Sequence, residues 1–295
     1  MKRRAELGRL THLFLYPIKS CEAIEPAKWK LSATGLLYDR NWMIVSGGVT
    51  LTQKRFPVLC QIISEIDEDR GKLVLQDRSG NLEPLQVGLT HMSAEKNNNN
   101  TVDLGWSTAK VCTNRFDLVD YDHKTNEWLS DLHPSFQNND CHLVGKAVGN
   151  LPNPGVYQKE MHTLSTTRGV FTLDYGPNIV IADGIFNGDD EDGADLEPFQ
   201  EDKFKELHIG NLVFEVTGLC TRCQMICIDQ DTGEKDPNLL SLRDLRKHTS
   251  QLTSSENKLT FGVYLSLKKS GISNLVGFQA PELRIMNKSK FYFFG

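Results

Sequence analysis

Short apolar runs separated by turn-forming residues constrain the fold of this 295-residue chain more than any other feature. In the first third, the runs are broken by sequences such as Gly47-Gly48 and Asp69-Arg70-Gly71. Short runs bounded by glycine and aspartate are typical of β-strands joined by tight turns. The predicted strands are residues 10–18, 41–45, 59–66, 72–75 and 82–87. This spacing predicts a meandering sheet or a barrel.

The rest of the chain continues the same pattern and adds two short helices. A further strand is predicted at residues 110–119, and a helix at 125–132 whose apolar residues fall on one side. The predicted downstream strands are residues 178–182, 207–209, 212–216, 225–228, 261–267 and 282–286. An acidic loop at 187–197 and a helix at 239–246 lie between these strands.

Residues 145–155 contain two prolines and three glycines, which is a composition typical of a linker or surface loop. We therefore place a domain boundary there. The fold class predicted is mainly β, an α+β protein rich in β-barrels. Its two domains are expected at residues 8–148 and 149–290.

Composition excludes several classes of function. With 39% hydrophobic and 24% charged residues the chain is typical of a soluble globular protein. A net charge of −5 argues against general nucleic-acid binding, because that requires clustered basic residues. No apolar stretch before Pro17 is long enough for a signal peptide or a membrane anchor. Seven cysteines, an odd number, indicate reduced thiols, so a cytoplasmic location is expected.

The segment from Gly218 to Asp229 carries the most chemical information, since two cysteines flank Arg222. We interpret it as a glycine turn that places Cys220 and Cys223 just before a strand. A thiolate is a soft ligand that suits molybdenum, copper, zinc or iron–sulfur chemistry. A neighbouring arginine and an exposed loop both favour ionisation of a thiol. The segment is therefore a candidate for a reactive or metal-binding cysteine.

Three other interpretations compete with that one. A shared zinc site is disfavoured because Cys223 and Cys227 would lie roughly 13 Å apart in an extended strand. A thioredoxin-like pair requires a βαβ unit with a helix starting at the motif, and the residues that follow resemble a strand. Free cysteine is also often a small buried hydrophobic residue, which suits Cys60, Cys141 and Cys227.

Motifs spread along the chain resemble the MOSC-domain family, which is found in molybdenum cofactor sulfurases and amidoxime-reducing proteins. The signature-like string is Gly218-x-Cys220-x-Arg222-Cys223, followed by Asp229, Thr232 and Gly233. Strings at residues 16–21, 35–43 and 51–54 resemble the N-terminal β-barrel half, and those at 177–180 and 261–264 resemble later elements. The residues after Cys223 are more similar to the sulfurase branch than to the amidoxime reductases.

The resemblance implies the molybdenum cofactor, a molybdenum–molybdopterin, as ligand. It implies that Cys223 binds the metal and that Cys220 is a neighbour. The positions that match pterin- and phosphate-binding residues are Lys19, Ser20 and Arg40, with Asn178 and Arg222 as further contacts. Cationic donors suit a phosphate-bearing ligand. Lys19 could equally be a solvated surface charge, and Arg40 could pair with Asp39.

Two departures from the family pattern are evident. The family has an arginine immediately before the Pro-Asn pair, whereas this chain has Gly176. The segment 161–174 is also shorter than in relatives, with Thr163, Ser165, Thr166 and Thr167 as a remnant of a polar loop. The glycine removes one cationic contact and predicts weaker cofactor binding, whereas the short segment indicates a splice variant, a faulty gene model or a divergent form.

Three functions remain open at this stage. The first is binding and sulfuration of the molybdenum cofactor with a separate cysteine desulfurase, because no pyridoxal-phosphate domain is expected in this chain. The second is reduction of N-hydroxylated compounds, with electrons from a haem or flavin partner. The third is a degenerate binding domain without catalysis. No nucleic acid or membrane partner is expected.

Overall fold

The computed structural model describes residues 5–32, 35–89, 108–111, 114–122, 124–137, 139–146, 163–165, 177–182, 199–210, 212–249, 259–267, 276–279 and 284–287. Its first strands are β1 (Ala5–Leu13), β2 (Lys28–Ser32), β3 (Gly35–Leu36), β4 (Trp42–Ser46), β5 (Val49–Thr50), β6 (Ile62–Asp67), β7 (Lys72–Asp77), β8 (Leu85–Gly88), β9 (Thr108–Val111) and β10 (Asn114–Asp122). The elements that follow are α1 (Lys124–Leu132), β11 (Cys141–Lys146), β12 (Thr163–Ser165), β13 (Ile179–Ala182), β14 (Glu206–Ile209), β15 (Leu212–Thr221), α2 (Leu240–Thr249), β16 (Thr260–Leu267), β17 (Val276–Gln279) and β18 (Arg284–Asn287). The predicted mainly β class is confirmed.

The larger barrel closes through seven strands in the order β1-β13-β12-β16-β15-β14-β18. Its interior is apolar, with buried residues that include Leu10, Leu13, Ile179, Leu207, Phe214, Val263 and Leu265. Strand β1 pairs with β13, with Leu10 opposite Ile181, and also with β18 near the far end of the chain. The N-terminal strand is thereby part of the barrel that carries the cysteine segment. The domain boundaries at 8–148 and 149–290 stay a prediction.

The smaller barrel closes through β10-β11-β4-β5-β9, and a three-stranded meander β6-β7-β8 packs into the same core. Strand β7 shows the expected alternation, because Leu73 and Leu75 are fully buried while the residues between and beside them are partly exposed. Helix α1 buries Trp128 and Leu129 in this core, and Leu132 packs against it. The one-sided helix predicted at 125–132 is confirmed.

Several predicted elements need correction. Instead of the single strand predicted at 110–119, the described residues form two antiparallel strands, β9 and β10, with Asn114 opposite Val111. Residues 59–61 belong to a 3₁₀ turn (Pro57–Gln61) that precedes β6, since proline favours the first helical position. The strand predicted at 10–18 ends at Leu13.

Among the elements predicted after α1, one helix and three strands are confirmed. Helix α2 confirms the helix expected at 239–246, and β13, β14 and β16 match three predicted strands. The acidic loop at 187–197 lies outside the described residues, as does most of the 145–155 segment, whose first two residues end β11. Within the described part of the chain, neither helix has the length and apolar character required to cross a bilayer.

Candidate functional site

The cysteine segment begins inside a strand and leaves it just before Cys223. Strand β15 runs on through Gly218 and Cys220 to Thr221, paired with β16. The backbone N–H of Arg222 then donates to the Leu259 carbonyl at 2.7 Å. Cys223 follows in extended conformation and caps a single 3₁₀ turn, Gln224–Cys227. Both the predicted glycine turn and the strand predicted at 225–228 are wrong.

Cys223 is the most accessible of the six cysteines in the described residues. It is half-buried and is a free thiol, whereas the other five are buried. Its neighbours Cys220 and Cys227 are only 5% and 4% exposed. Because a metal ligand must reach its ion, Cys223 is the cysteine of this segment best placed to bind one. The interpretation of Cys60, Cys141 and Cys227 as buried residues is confirmed.

Arg222 anchors the loop to the neighbouring strand. Its Nε donates a 2.8 Å hydrogen bond to the Phe261 carbonyl, and its guanidinium lies 5.7 Å from the centroid of the Phe261 ring. These contacts hold the chain between β15 and Cys223 against β16. A direct role of Arg222 toward a cofactor stays a prediction.

Arg40 lies in a polar cluster that joins the two halves of the chain. It pairs with the Asp39 carboxylate, and its Nη1 donates to Asn178 Oδ1 at 2.9 Å. The guanidinium also stacks over the Tyr16 ring at 4.6 Å. Burial is the largest single influence and lowers the pKa of Arg40, but the Asp39 charge and hydrogen bond, together with Tyr16 and Cys220, outweigh it and raise the pKa. The arginine therefore stays cationic, with its side chain 27% exposed.

The Arg40 cluster is close to the cysteine segment. Cys220 is near enough to Arg40 for the two groups to interact electrostatically. Arg40 itself has a positive φ of 50°, which is uncommon for a residue with a side chain. Such conformations persist where surrounding contacts enforce them, and they concentrate at functional sites.

Asn178 is a buried connector in this cluster. Its Nδ2 donates to the Phe14 carbonyl at 3.0 Å and to Asp39 Oδ1 at 2.9 Å, while its Oδ1 accepts from Arg40. With 1% exposure, the side chain has its amide engaged by the protein. Its position favours a role in orienting Arg40.

Lys19 and Ser20 occupy the loop that enters the smaller barrel. The Lys19 N–H donates to the Trp42 carbonyl at 2.8 Å, and its side chain makes no hydrogen bond or ion pair with the described residues. Ser20 has a φ of 68°, and its carbonyl accepts from Gln53 Nε2 at 2.9 Å. A partly exposed lysine beside a backbone held in an unusual conformation is consistent with an anion site.

The geometry of the cysteine segment bears on the zinc and thioredoxin-like interpretations. The distance argument against zinc was wrong, since residues 224–227 form a helical turn rather than an extended strand. Among the described residues, however, no group of three histidine, cysteine or acidic side chains is arranged to hold a metal. The strands that flank the cysteines are antiparallel, unlike the parallel strands of a βαβ unit.

Sequence reasoning missed the connecting residues. The family-like string at 51–54 contains Gln53, for which the resemblance implies no role, although its side chain is 3% exposed and bonds to Gln230. A buried glutamine in a loop gives no signal in a single sequence. Gly176 and most of the segment 161–174 lie outside the described residues, and only Thr163–Ser165 is placed, as β12.

Comparison with known families identifies the chain. Residues 7–133 match the MOSC N-terminal beta barrel domain, and residues 156–277 match the MOSC domain. The chain belongs to the MOSC-domain family. The resemblance found in the sequence motifs is confirmed, and the MOSC match includes both β15 and Cys223.

Curated relatives of this MOSC protein are named molybdenum cofactor sulfurase. The protein from Bos taurus is 35% identical over 288 residues, covering 87% of this chain and 30% of the relative. The Homo sapiens protein is 33% identical over 288 residues with the same coverage, and the Danio rerio protein is 35% identical over 290 residues, covering 87% and 32%. The chain spans about a third of the length of these relatives.

Proposed function

We propose that this MOSC protein binds the molybdenum cofactor through the Cys223 thiolate and takes part in its sulfuration. The carrying observation is the exposure of Cys223, which is half-buried at the end of β15 while the other described cysteines are buried. A thiolate is a soft ligand that suits molybdenum, and it can bind the metal only from an accessible position. The family membership and the names of the relatives support the same cofactor.

The remaining residues fit the anionic part of such a ligand. Arg40 is held as a cation with part of its side chain exposed, and Lys19 keeps its ammonium without a protein partner among the described residues. Guanidinium and ammonium groups bind phosphate through charge-assisted hydrogen bonds. In this proposal Lys19, Ser20 and Arg40 bind the pterin and its phosphate, while Asn178 orients Arg40.

When bound, the cofactor supplies the metal–oxo group at which sulfur is introduced. The chain's own residues bind and orient it: Cys223 holds the metal, and Arg222 fixes the loop on β16 through the Phe261 carbonyl. We propose a separate cysteine desulfurase as the sulfur donor and the cytoplasm as the location.

Metal analysis of cysteine variants tests the proposal. The wild-type chain, purified under reducing conditions from a host that makes the cofactor, should carry molybdenum and a fluorescent pterin. Cys223→Ser should lose most of the metal. Cys227→Ser is the matched control, because that thiol is 4% exposed in the same turn, and it should retain a larger share. Equal loss in both variants indicates a structural cysteine cluster, and a wild type without molybdenum overturns the proposal.

A further inference from the structure

Gln53 and Gln230 form a reciprocal pair of amide hydrogen bonds between the two halves of the chain. Gln53 Nε2 donates to Gln230 Oε1 at 2.9 Å, and Gln230 Nε2 donates to Gln53 Oε1 at 3.1 Å. The two residues are 177 positions apart in sequence. A buried amide that lost its partner would be left with an unsatisfied polar group, so the pair is costly to break.

Each amide nitrogen also donates a second hydrogen bond, to a backbone carbonyl of the candidate site. Gln53 Nε2 also donates to the Ser20 carbonyl, at 2.9 Å. Gln230 Nε2 also donates to the Ile228 carbonyl, at 3.0 Å. Each side chain thus donates two hydrogen bonds and accepts one, and rotating either amide by 180° would place oxygen against oxygen.

The two carbonyls reached by the pair belong to the two loops of the site. Ser20 follows Lys19 in the loop proposed to bind phosphate. Ile228 is the C-terminal cap of the 3₁₀ turn whose N-terminal cap is Cys223. The amide pair therefore connects the backbone of the Lys19–Ser20 loop to the one-turn helix that begins at Cys223.

The turn that carries Gln230 is itself fastened to the first half of the chain. Asp229 Oδ1 accepts from the N–H groups of Asp231 and Thr232, both at 2.9 Å, which closes the turn. Gln61 Nε2 donates to the Asp231 carbonyl at 2.9 Å, and Arg78 Nη1 lies 3.6 Å from the Asp231 carboxylate. Gln53 is buried and Gln230 is half-buried, whereas Asp231 is exposed, so the amide pair is the least exposed of these contacts.

We propose that Gln53 is a positioning residue of the candidate cofactor site, which holds the Lys19–Ser20 loop in register with Cys223 through Gln230. The inference rests on the proposed function for the identity of the ligand, but the linkage between the loops is a property of the chain alone. Gln53 touches neither the metal nor the phosphate in this scheme. Its loss should separate the two loops while both barrels remain folded.

Alkylation of the buried cysteines measures that separation without any ligand. Cys21 directly follows Ser20, and Cys60 Sγ lies near the turn, 3.9 Å from the Asp229 carbonyl. Cys141 is also fully buried, but on β11 of the smaller barrel. With iodoacetamide and peptide mapping, Gln53→Ala should raise the modification rates of Cys21 and Cys60 by about tenfold, the loss expected for one or two buried hydrogen bonds. Cys141 should keep its wild-type rate.

Two further variants complete the design. Gln230→Ala should reproduce the Gln53→Ala pattern, and the double variant should add little to either single variant, because both remove the same pair. Gln76→Ala is the matched control, since that glutamine bonds to Glu65 at an exposed position of the β6–β7 hairpin. It should leave all four cysteine rates unchanged, Cys223 included. An equal rise at Cys141 would mean global unfolding and overturn the proposal, as would unchanged rates at Cys21 and Cys60.

Cofactor affinity supplies a readout that a purely structural role would not change. In the wild-type background, Lys19→Ala should weaken cofactor binding by about one to two decades, whereas in the Gln53→Ala background the same change should have little effect. Additive losses would show that Gln53 does not position Lys19 and would overturn the proposal. A wild type that binds no molybdenum removes the proposed function, while the alkylation rates still decide whether the amide pair links the two loops.

Discussion

Arg40 Nη1 and Asn178 Oδ1 are joined by a 2.9 Å hydrogen bond across 138 residues of sequence. The bond connects the turn after β3 to the residue that precedes β13, and so links the first part of the chain to the larger barrel. Asp39 contributes to the same link, because its carboxylate pairs with Arg40 and accepts from Asn178 Nδ2. A cation proposed to face the phosphate is thus held by a buried amide.

Asn178→Ala should destabilise the protein by roughly 1–3 kcal/mol, because it removes the side-chain donor to the Phe14 carbonyl, one of the donors to Asp39 and an acceptor of Arg40. Urea unfolding measures the change. Asn81→Ala is the control, since the Asn81 side chain donates locally to Ser79 at an exposed turn, and it should change stability by less than about 0.5 kcal/mol. A stability loss for Asn178→Ala as small as that of the control would contradict the connecting role.

Much of the fold was predictable from local patterns, and the errors have identifiable physical causes. Strands β7, β13 and β16 were predictable because each contains a short apolar run. The four-residue apolar run at 225–228 is ambiguous, because a run this short fits a strand or a helical turn equally well. Here the turn is closed by the bond from the Ile228 N–H to the Met225 carbonyl, and α2 packs against it.

The candidate site was only partly predictable, because its assembly depends on long-range pairing. Motif resemblance supplied Cys223, Lys19, Ser20 and Arg40 as separate positions. The residues that bring such positions together are Asp39, Gln53 and Gln230, and their partners lie up to 177 residues away. The placement of β1 in the larger barrel was not predictable for the same reason. No local pattern indicates which distant strand will pair with it.

Native-state alkylation should modify Cys223 well before Cys21 or Cys141. Burial raises the pKa of Cys21, with a further contribution from Cys60. Burial, followed by the charge of Asp140, raises the pKa of Cys141 to about 11. At pH 8 such a thiol is thiolate in roughly one molecule in a thousand, and the thiolate is the reactive form.

Peptide mapping after brief treatment of the wild-type protein with iodoacetamide checks this order. The Cys141 rate should rise as pH increases toward 11, because more thiolate forms. Denatured protein is the control, in which the cysteines should react at comparable rates. Equal modification of Cys141 and Cys223 in the folded protein at pH 8 would contradict the burial described for this core.

Lys19→Ala and Arg40→Ala should both weaken cofactor binding, by about one to two decades, since each removes a charge-assisted contact. The loss should shrink as salt rises. Only Arg40→Ala should also destabilise the fold, by roughly 1–3 kcal/mol, because Asp39 loses its ion pair and Asn178 Oδ1 loses its donor. Cofactor titration at two salt concentrations and urea unfolding separate the two effects.

Arg70→Ala is the matched charge control for these variants. Its side chain is 82% exposed, on the turn between β6 and β7, and its loss changes the net charge equally. Cofactor affinity in Arg70→Ala should equal that of the wild type. The anion-site assignment fails if Lys19→Ala also retains wild-type affinity.

The two glycines of the cysteine signature, Gly218 and Gly233, should respond differently to alanine. Gly233 has a φ of +74°, in the left-handed region where a Cβ costs roughly 1–2 kcal/mol, and an added Cβ would meet Cys60 Sγ at an ordinary contact distance of 3.4 Å. Gly233→Ala should therefore cost about as much as Gly80→Ala, whose φ is +70° and whose surroundings are open.

Gly218 lies in β15 without a positive φ, and an added Cβ would meet no atom within 4 Å. Because alanine restricts the unfolded chain more than glycine does, Gly218→Ala should be neutral or stabilising by up to about 1 kcal/mol. Urea unfolding of the three alanine variants gives the comparison. A loss of stability in Gly218→Ala that matches the loss in Gly233→Ala would contradict this prediction. The backbone conformation of β15 would then not explain the glycine, and close approach of a ligand to the strand would be the next explanation to test.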